Sequence, residues 1–188
     1  MKFLEKVKLE NKKLVTNLKK KLKIGVLGGS FDPAHKGHIK ISKESIKRFG
    51  LDQIIWAITK KNPLKLTSST NLKSRINYAK KIIKKEKIIK IKFYEKKIKS
   101  NKTIDLINFL KKKKIDIYFI MGADNLINFH KWHKWKSISK KCNIIVFDRS
   151  GYRAKSLKSI TFKKLNKKGL NFIKFKKVNI SSSQLRKI

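Results

Sequence analysis

The chain is 188 residues long with a single cysteine, which suits one domain with a sizeable core and excludes a disulfide framework. Its formal net charge of +41 raises the question of nucleic acid or an anionic membrane, yet only five of its 52 basic residues are arginines. The lysines spread over almost every segment look like a background bias, and a specific nucleic-acid reader, which favours arginine forks beside exposed aromatics, is set aside.

Residues 1–22 carry Phe3, Leu4, Val7, Leu14, Val15 and Leu18 among lysines, a loose helical spacing that reads as a solvated extension ahead of a domain at 23–188. No apolar stretch approaches the ~18 residues that a membrane span needs, and the extension lacks the unbroken apolar core of a signal peptide. A reducing cytoplasm is the simplest location, with no membrane partner. From Lys23 onward, apolar strands alternate with helical patterns. Ile24 to Leu27 is predicted as strand one, His38 to Phe49 as a helix ended near Gly50, and Gln53 to Ile58 as strand two. Leu72 to Lys84 has helical spacing, Ile88 to Tyr94 reads as strand three, and Thr103 to Lys113 as another helix. Ile115 to Met121, Cys142 to Asp148 and Leu170 to Phe175 complete the strands, with Cys142 a small buried residue of the fifth. This alternation predicts an α/β fold, a doubly wound parallel sheet of five to six strands with helices on both faces.

Ligands of such sheets bind beyond the carboxyl ends of the strands, so the unusual polar residues should follow the strands. They do. After strand one comes Gly28-Gly29-Ser30-Phe31-Asp32-Pro33-Ala34-His35-Lys36-Gly37-His38. Two glycines at a strand end allow a sharp turn and let a phosphate approach main-chain N–H groups without meeting a Cβ, and Pro33 stiffens the loop. His35 and His38, three apart at a helix entry, can face one site beside the positive end of that helix. The bland alternative is a pair of solvated loop histidines.

After strand four, Gly122-Ala123-Asp124 leaves little room for a Cβ, and Asp124 can accept from ribose hydroxyls, help order a cation, or cap the next helix. The terminal Ser181-Ser182-Ser183-Gln184-Leu185-Arg186 offers hydroxyls at a helix start and a guanidinium one turn later, which is either an ordinary cap or a second phosphate cradle. Trp56, inside a strand, belongs to the core. His130 and His133 lack the spacing and partners of a zinc site and read as solvated helix residues.

The order Gly-Gly-Ser-Phe-Asp-Pro-x-His-x-Gly-His resembles the signature of the nucleotidyltransferase superfamily with its Rossmann-like fold, and is most similar to bacterial nicotinate-nucleotide adenylyltransferases. The terminal serines resemble the Ile-Ser-Ser-Thr-x-Ile-Arg motif of the same family, with Ser183 and Leu185 as mild departures. The resemblance covers roughly Lys23 to Arg186 and implies transfer of AMP from ATP to nicotinate mononucleotide, with pyrophosphate leaving and Mg2+ on the phosphates. It implies catalytic roles and ATP contacts for His35, His38 and Arg186, and further ATP contacts at Gly28, Gly29, Ser30, Phe31, Gly122, Asp124, Ser181, Ser182 and Ser183. Nicotinate mononucleotide would meet Lys65 of Asn62-Pro63-Leu64-Lys65, Thr103, Trp132 as a stacking platform, and Arg149, with Trp135 left to packing. The family's tyrosine before Thr103 is Lys102 here, and its second threonine is Leu106. Sibling transferases with nicotinamide mononucleotide or phosphopantetheine as acceptor, and a nonspecific nucleic-acid binder, remain the alternatives. Self-association is left open.

Overall fold

Every second residue along the strands faces one side of the sheet and its neighbours face the other, and apolar residues on both sides require cover on both faces. Ile24, Val26, Ile55, Ala57, Ile117, Phe119, Ile144 and Val146 belong to one buried cluster. The intervening Leu27, Ile54, Trp56, Ile120, Ile145 and Phe147 belong to a second. A computed structural model describes residues 21–60, 70–112, 114–166 and 169–175.

Six parallel strands form one sheet: β1 (Lys23–Gly29), β2 (Gln53–Ile58), β3 (Ile89–Lys92), β4 (Asp116–Gly122), β5 (Asn143–Phe147) and β6 (Leu170–Ile173). Their order, β3-β2-β1-β4-β5-β6, is that of the doubly wound Rossmann-like sheet, with its switch point between β1 and β4. The register sets Leu27 of β1 beside Trp56 of β2 and Ile120 of β4.

The helices are α1 (Lys36–Phe49), α2 (Leu72–Ile82), α3 (Glu95–Ile98), α4 (Thr103–Lys111), α5 (Ala123–Asn128), α6 (Trp135–Lys141), α7 (Arg153–Leu157) and α8 (Ile160–Leu165), with a 3-10 turn at Phe129–Lys131. Residues of α1 and α2 pack against the Trp56 cluster, and those of α4, α5, α6 and α8 belong to the Phe119 cluster. Among the described residues no helix is long and apolar enough to cross a membrane.

The predicted strands and main helices all appear, with no end moved by more than two residues, as expected where only periodicity sets them. Helix α1 begins at Lys36, two residues before the predicted start, because His35 caps it. The short helices α3, α6, α7 and α8 were not foreseen, since four to seven residues hold too few turns to show an apolar stripe. Cys142 is buried but closes α6 rather than lying in β5, and its thiol donates to the Ile138 carbonyl at 3.1 Å.

Candidate active site

The loop after β1 departs from its sequence expectation in one respect. Gly28 and Gly29 do not make the turn: both lie in β1 with ordinary extended backbone. The left-handed residue is Phe31, at φ 48°. A phenylalanine there is strained, and its surroundings hold it: the ring is buried, stacked on Trp56 at 4.9 Å and tilted against His38 at 4.8 Å. The role left to Gly28 is openness, since it is exposed, and the nearest atom to an added Cβ is Phe119 Cζ at 3.5 Å.

His35 and His38 are neither solvated nor merely adjacent. His35 is the N-cap of α1 and its Nδ1 accepts the Gly37 N–H at 3.1 Å, while His38 Nδ1 accepts the His35 N–H at 3.2 Å. The two imidazoles thus fill both places of a capping box, where a serine and a glutamate more often stand. A nitrogen that accepts carries no proton, so in both neutral rings the hydrogen sits on Nε2. The ring centroids are 3.9 Å apart. Burial, and after it the positive charge of Arg149, lower the pKa of His35 to about 4, so it is an uncharged N–H donor at neutral pH.

A second layer fixes His38. The Trp56 indole N–H donates to Ser42 Oγ at 2.8 Å, and that hydroxyl donates to the His38 carbonyl at 2.8 Å. Trp56 is a core residue, as its strand position suggested, with this added link to the histidine.

Across the switch point, Gly122 ends β4, and a Cβ on it would collide with Asp124 Oδ1. Gly122, not Asp124, occupies the cap position of α5. Asp124 instead accepts from Arg149 Nη1 at 2.6 Å, which joins the loop after β5 to the end of β4. Arg149 also stands over the exposed Tyr152 ring at 5.7 Å. Two residues expected on different substrates therefore form one ion pair.

Thr103 is the first residue of α4 and half-buried, and the Lys102 before it contributes no side-chain cap. Trp132 is half-buried on the Phe119 face, edge-on to Phe119 at 6.0 Å and Phe129 at 5.2 Å, and its Nε1 is shielded without a partner among the described residues. Trp135 packs on Phe129. His133 is exposed in a turn, whereas His130 is half-buried in the 3-10 turn with Nδ1 shielded, because Phe129 beside it enters the core. Lys65, Ser181, Ser182, Ser183 and Arg186 lie outside the described residues.

Sequence reasoning passed over Arg75 and Glu95. Arg75 is 3 % exposed and donates to the carbonyls of Ser30, Thr59, Lys60 and Thr70. The signal was present: in a chain that spends lysine on solvated positions, an arginine interrupts the apolar stripe Leu72, Ile76, Ala79 and Ile83. Glu95 accepts the Thr59 hydroxyl and, at 3.2 Å, the Lys60 N–H.

A sequence model described as Cytidylyltransferase-like matches residues 26–188. A probable nicotinate-nucleotide adenylyltransferase of Pelagibacter ubique (strain HTCC1062) is 71 % identical over 170 residues, 90 % of this chain and 94 % of that protein. The chain belongs to the nicotinate-nucleotide adenylyltransferase family. A further probable member from Ruegeria sp. (strain TM1040) is 38 % identical over 132 residues, 69 % of each protein. Among solved structures, the nicotinic acid mononucleotide adenylyltransferase of Plasmodium falciparum complexed with NaAD shares the fold. Its TM-score is 0.69 at 21 % identity, over 88 % of this chain and 83 % of that one.

Proposed function

We propose that this chain joins nicotinate mononucleotide to the AMP part of ATP, giving deamido-NAD and pyrophosphate, a step of NAD biosynthesis. The observation that carries the phosphate chemistry is the reciprocal histidine cap: two neutral Nε2–H donors held at one helix N-terminus, at the sheet's switch point. The acceptor rests on the relatives' family and on the NaAD held by the Plasmodium falciparum enzyme.

In this reading an oxygen of the acceptor's 5′-phosphate attacks the α-phosphorus in line. The new P–O bond forms as the bond to the bridging oxygen breaks, and pyrophosphate carries away the electron pair. No covalent enzyme intermediate is needed. His35 and His38 would donate to the oxygens on which charge collects, and because their tautomers are already set, little reorganisation accompanies the reaction. Ser182, Ser183 and Arg186 would receive the leaving pyrophosphate, by motif alone.

Magnesium enters with ATP as part of the substrate complex. Among the described residues no group of three or more His, Cys, Asp or Glu side chains is placed to hold a metal ion. The open Gly28 backbone and Asp124 would lie along the ATP. Lys65, Thr103, Trp132 and Arg149 would meet the mononucleotide, with the Trp132 ring on the sheet face opposite the Phe31 and Trp56 rings. We read residues 1–22 as an extension to this domain and the enzyme as cytoplasmic.

The test is pyrophosphate release with magnesium-ATP, comparing nicotinate mononucleotide, nicotinamide mononucleotide and phosphopantetheine at matched concentrations. Strong preference for the first is expected. No release with the first acceptor would sink the reading.

A further inference from the structure

Among the described residues only two charged side chains are buried, Asp32 and Arg75. A guanidinium withdrawn from water is costly unless its N–H groups are met, and here they are met by carbonyl dipoles. Arg75 Nη1 donates to Ser30 O at 2.6 Å and to Thr59 O at 2.9 Å, Nη2 donates to Lys60 O at 2.8 Å, and Nε donates to Thr70 O at 3.1 Å.

The origin of these carbonyls separates a functional role from simple anchoring. Ser30 belongs to the loop after β1 that leads to His35, and Thr59 and Lys60 begin the loop after β2. One fork therefore measures the gap between two loops at the carboxyl edge of the sheet. The Thr59 N–H crosses the same gap to Gly29 O at 3.0 Å. From the other side, the Glu95 carboxylate takes the Thr59 hydroxyl and the Lys60 N–H. The carbonyls of residues 59 and 60 are thus held by a cation, and the Thr59 hydroxyl and Lys60 N–H by an anion, from two elements distant in sequence.

We propose that Arg75 and Glu95 are positioning residues, a two-sided clamp that sets the spacing between the phosphate loop after β1 and the loop after β2. The consequence for turnover rests on the adenylyl-transfer reading above, in which the two loops serve the two substrates. An in-line displacement is sensitive to misplacement on the order of 1 Å, and the clamp governs that distance without touching either reactant. Lysine cannot replace Arg75, because an ammonium keeps the charge but lacks the planar fork that reaches three segments at once.

The experiment compares the full-length chain with Arg75→Lys and Glu95→Gln. Exchange of the Thr59 and Lys60 amide protons is followed by NMR, beside kcat and the two KM values. Arg75→Lys should speed exchange of both amides by about 10-fold or more and lower kcat by about 10- to 100-fold. Glu95→Gln can accept with one oxygen only. It should speed Lys60 exchange more than Thr59 exchange and raise the KM for the mononucleotide while leaving that for ATP near its original value.

If Arg75→Lys lowers thermal stability and speeds exchange in α2 while both loop amides and kcat stay as they were, Arg75 is an anchor of α2 and the clamp is wrong. Should Arg75→Lys fail to fold, Glu95→Gln decides: unchanged Lys60 exchange and unchanged kinetics overturn the proposal. Should the original chain not use nicotinate mononucleotide, the functional reading falls while amide exchange still tests the clamp.

Discussion

At the scale of single residues, the histidine pair does two jobs with its two nitrogens. Each Nδ1 closes a backbone N–H of the first turn of α1, and that bond holds the hydrogen on Nε2. Protonating His35 would place a hydrogen on Nδ1, against the Gly37 N–H, so the cap and the charge are mutually exclusive. A pH dependence follows with a definite sign. An imidazole in the unfolded chain titrates at about 6.5, and in the folded chain burial and the Arg149 charge push His35 down to about 4. Between those values the unfolded state holds more protons, so stability rises with pH across the window and is lost as pH falls through it. Urea midpoints should drop between pH 7 and pH 4.5, and the drop should be smaller in His35→Asn, which keeps a capping acceptor without a titrating ring. Equal drops in the two proteins would show that His35 does not carry the linkage. The proximity of the two histidines was legible in the sequence, because a three-residue spacing at a helix entry has one geometric outcome. Their tautomers were not, since these depend on where two backbone N–H groups point.

At the scale of elements, α1 shows how one helix separates stability from chemistry. Its C-terminal end stops at Gly50, in the left-handed region at φ 57° with nothing within 4 Å of an added Cβ. Gly50→Ala should therefore cost only the backbone penalty, about 1 kcal/mol, with unchanged kcat. Ser42, in the middle of the same helix, sits between the Trp56 indole and the His38 carbonyl. Ser42→Ala orphans a buried indole N–H, a loss of about 1–3 kcal/mol, and frees the first turn to shift, so kcat should fall as well. Urea titration and steady-state kinetics on the two variants check the contrast. If both keep full turnover, the link from Trp56 to His38 has no catalytic weight. Periodicity made the strands and the long helices legible, because each buries a face several residues long. It could not show the Trp56 to Ser42 bond, nor Arg75 reaching Ser30 across 45 positions of sequence, nor the turn at Phe31 in place of Gly28 and Gly29. Such contacts come from the order in which strands meet.

At the scale of the whole molecule, that order is what assembles the site. Placing β1 between β2 and β4 sets the histidine loop beside Thr59 on one flank and Asp124 on the other, with rings from both sheet faces at the same edge. The net charge acts at this scale too. With 52 basic residues against 11 acidic ones, ion pairing can neutralise only a small part of the field, and two consequences of opposite sign result. Self-repulsion disfavours the compact state, whereas the same field draws an anionic nucleotide toward the site. Salt weakens both effects, as the screening length falls from about 30 Å at 0.01 M to about 10 Å at 0.1 M. Across that range the melting temperature should rise while kcat/KM for magnesium-ATP falls several-fold, mostly through KM. A neutral osmolyte, which does not screen, should not lower kcat/KM. If kcat/KM held constant while the melting temperature rose, the lysines would be a burden on folding with no share in substrate capture. If both fell together, salt would be acting on the site itself and not on the field around it.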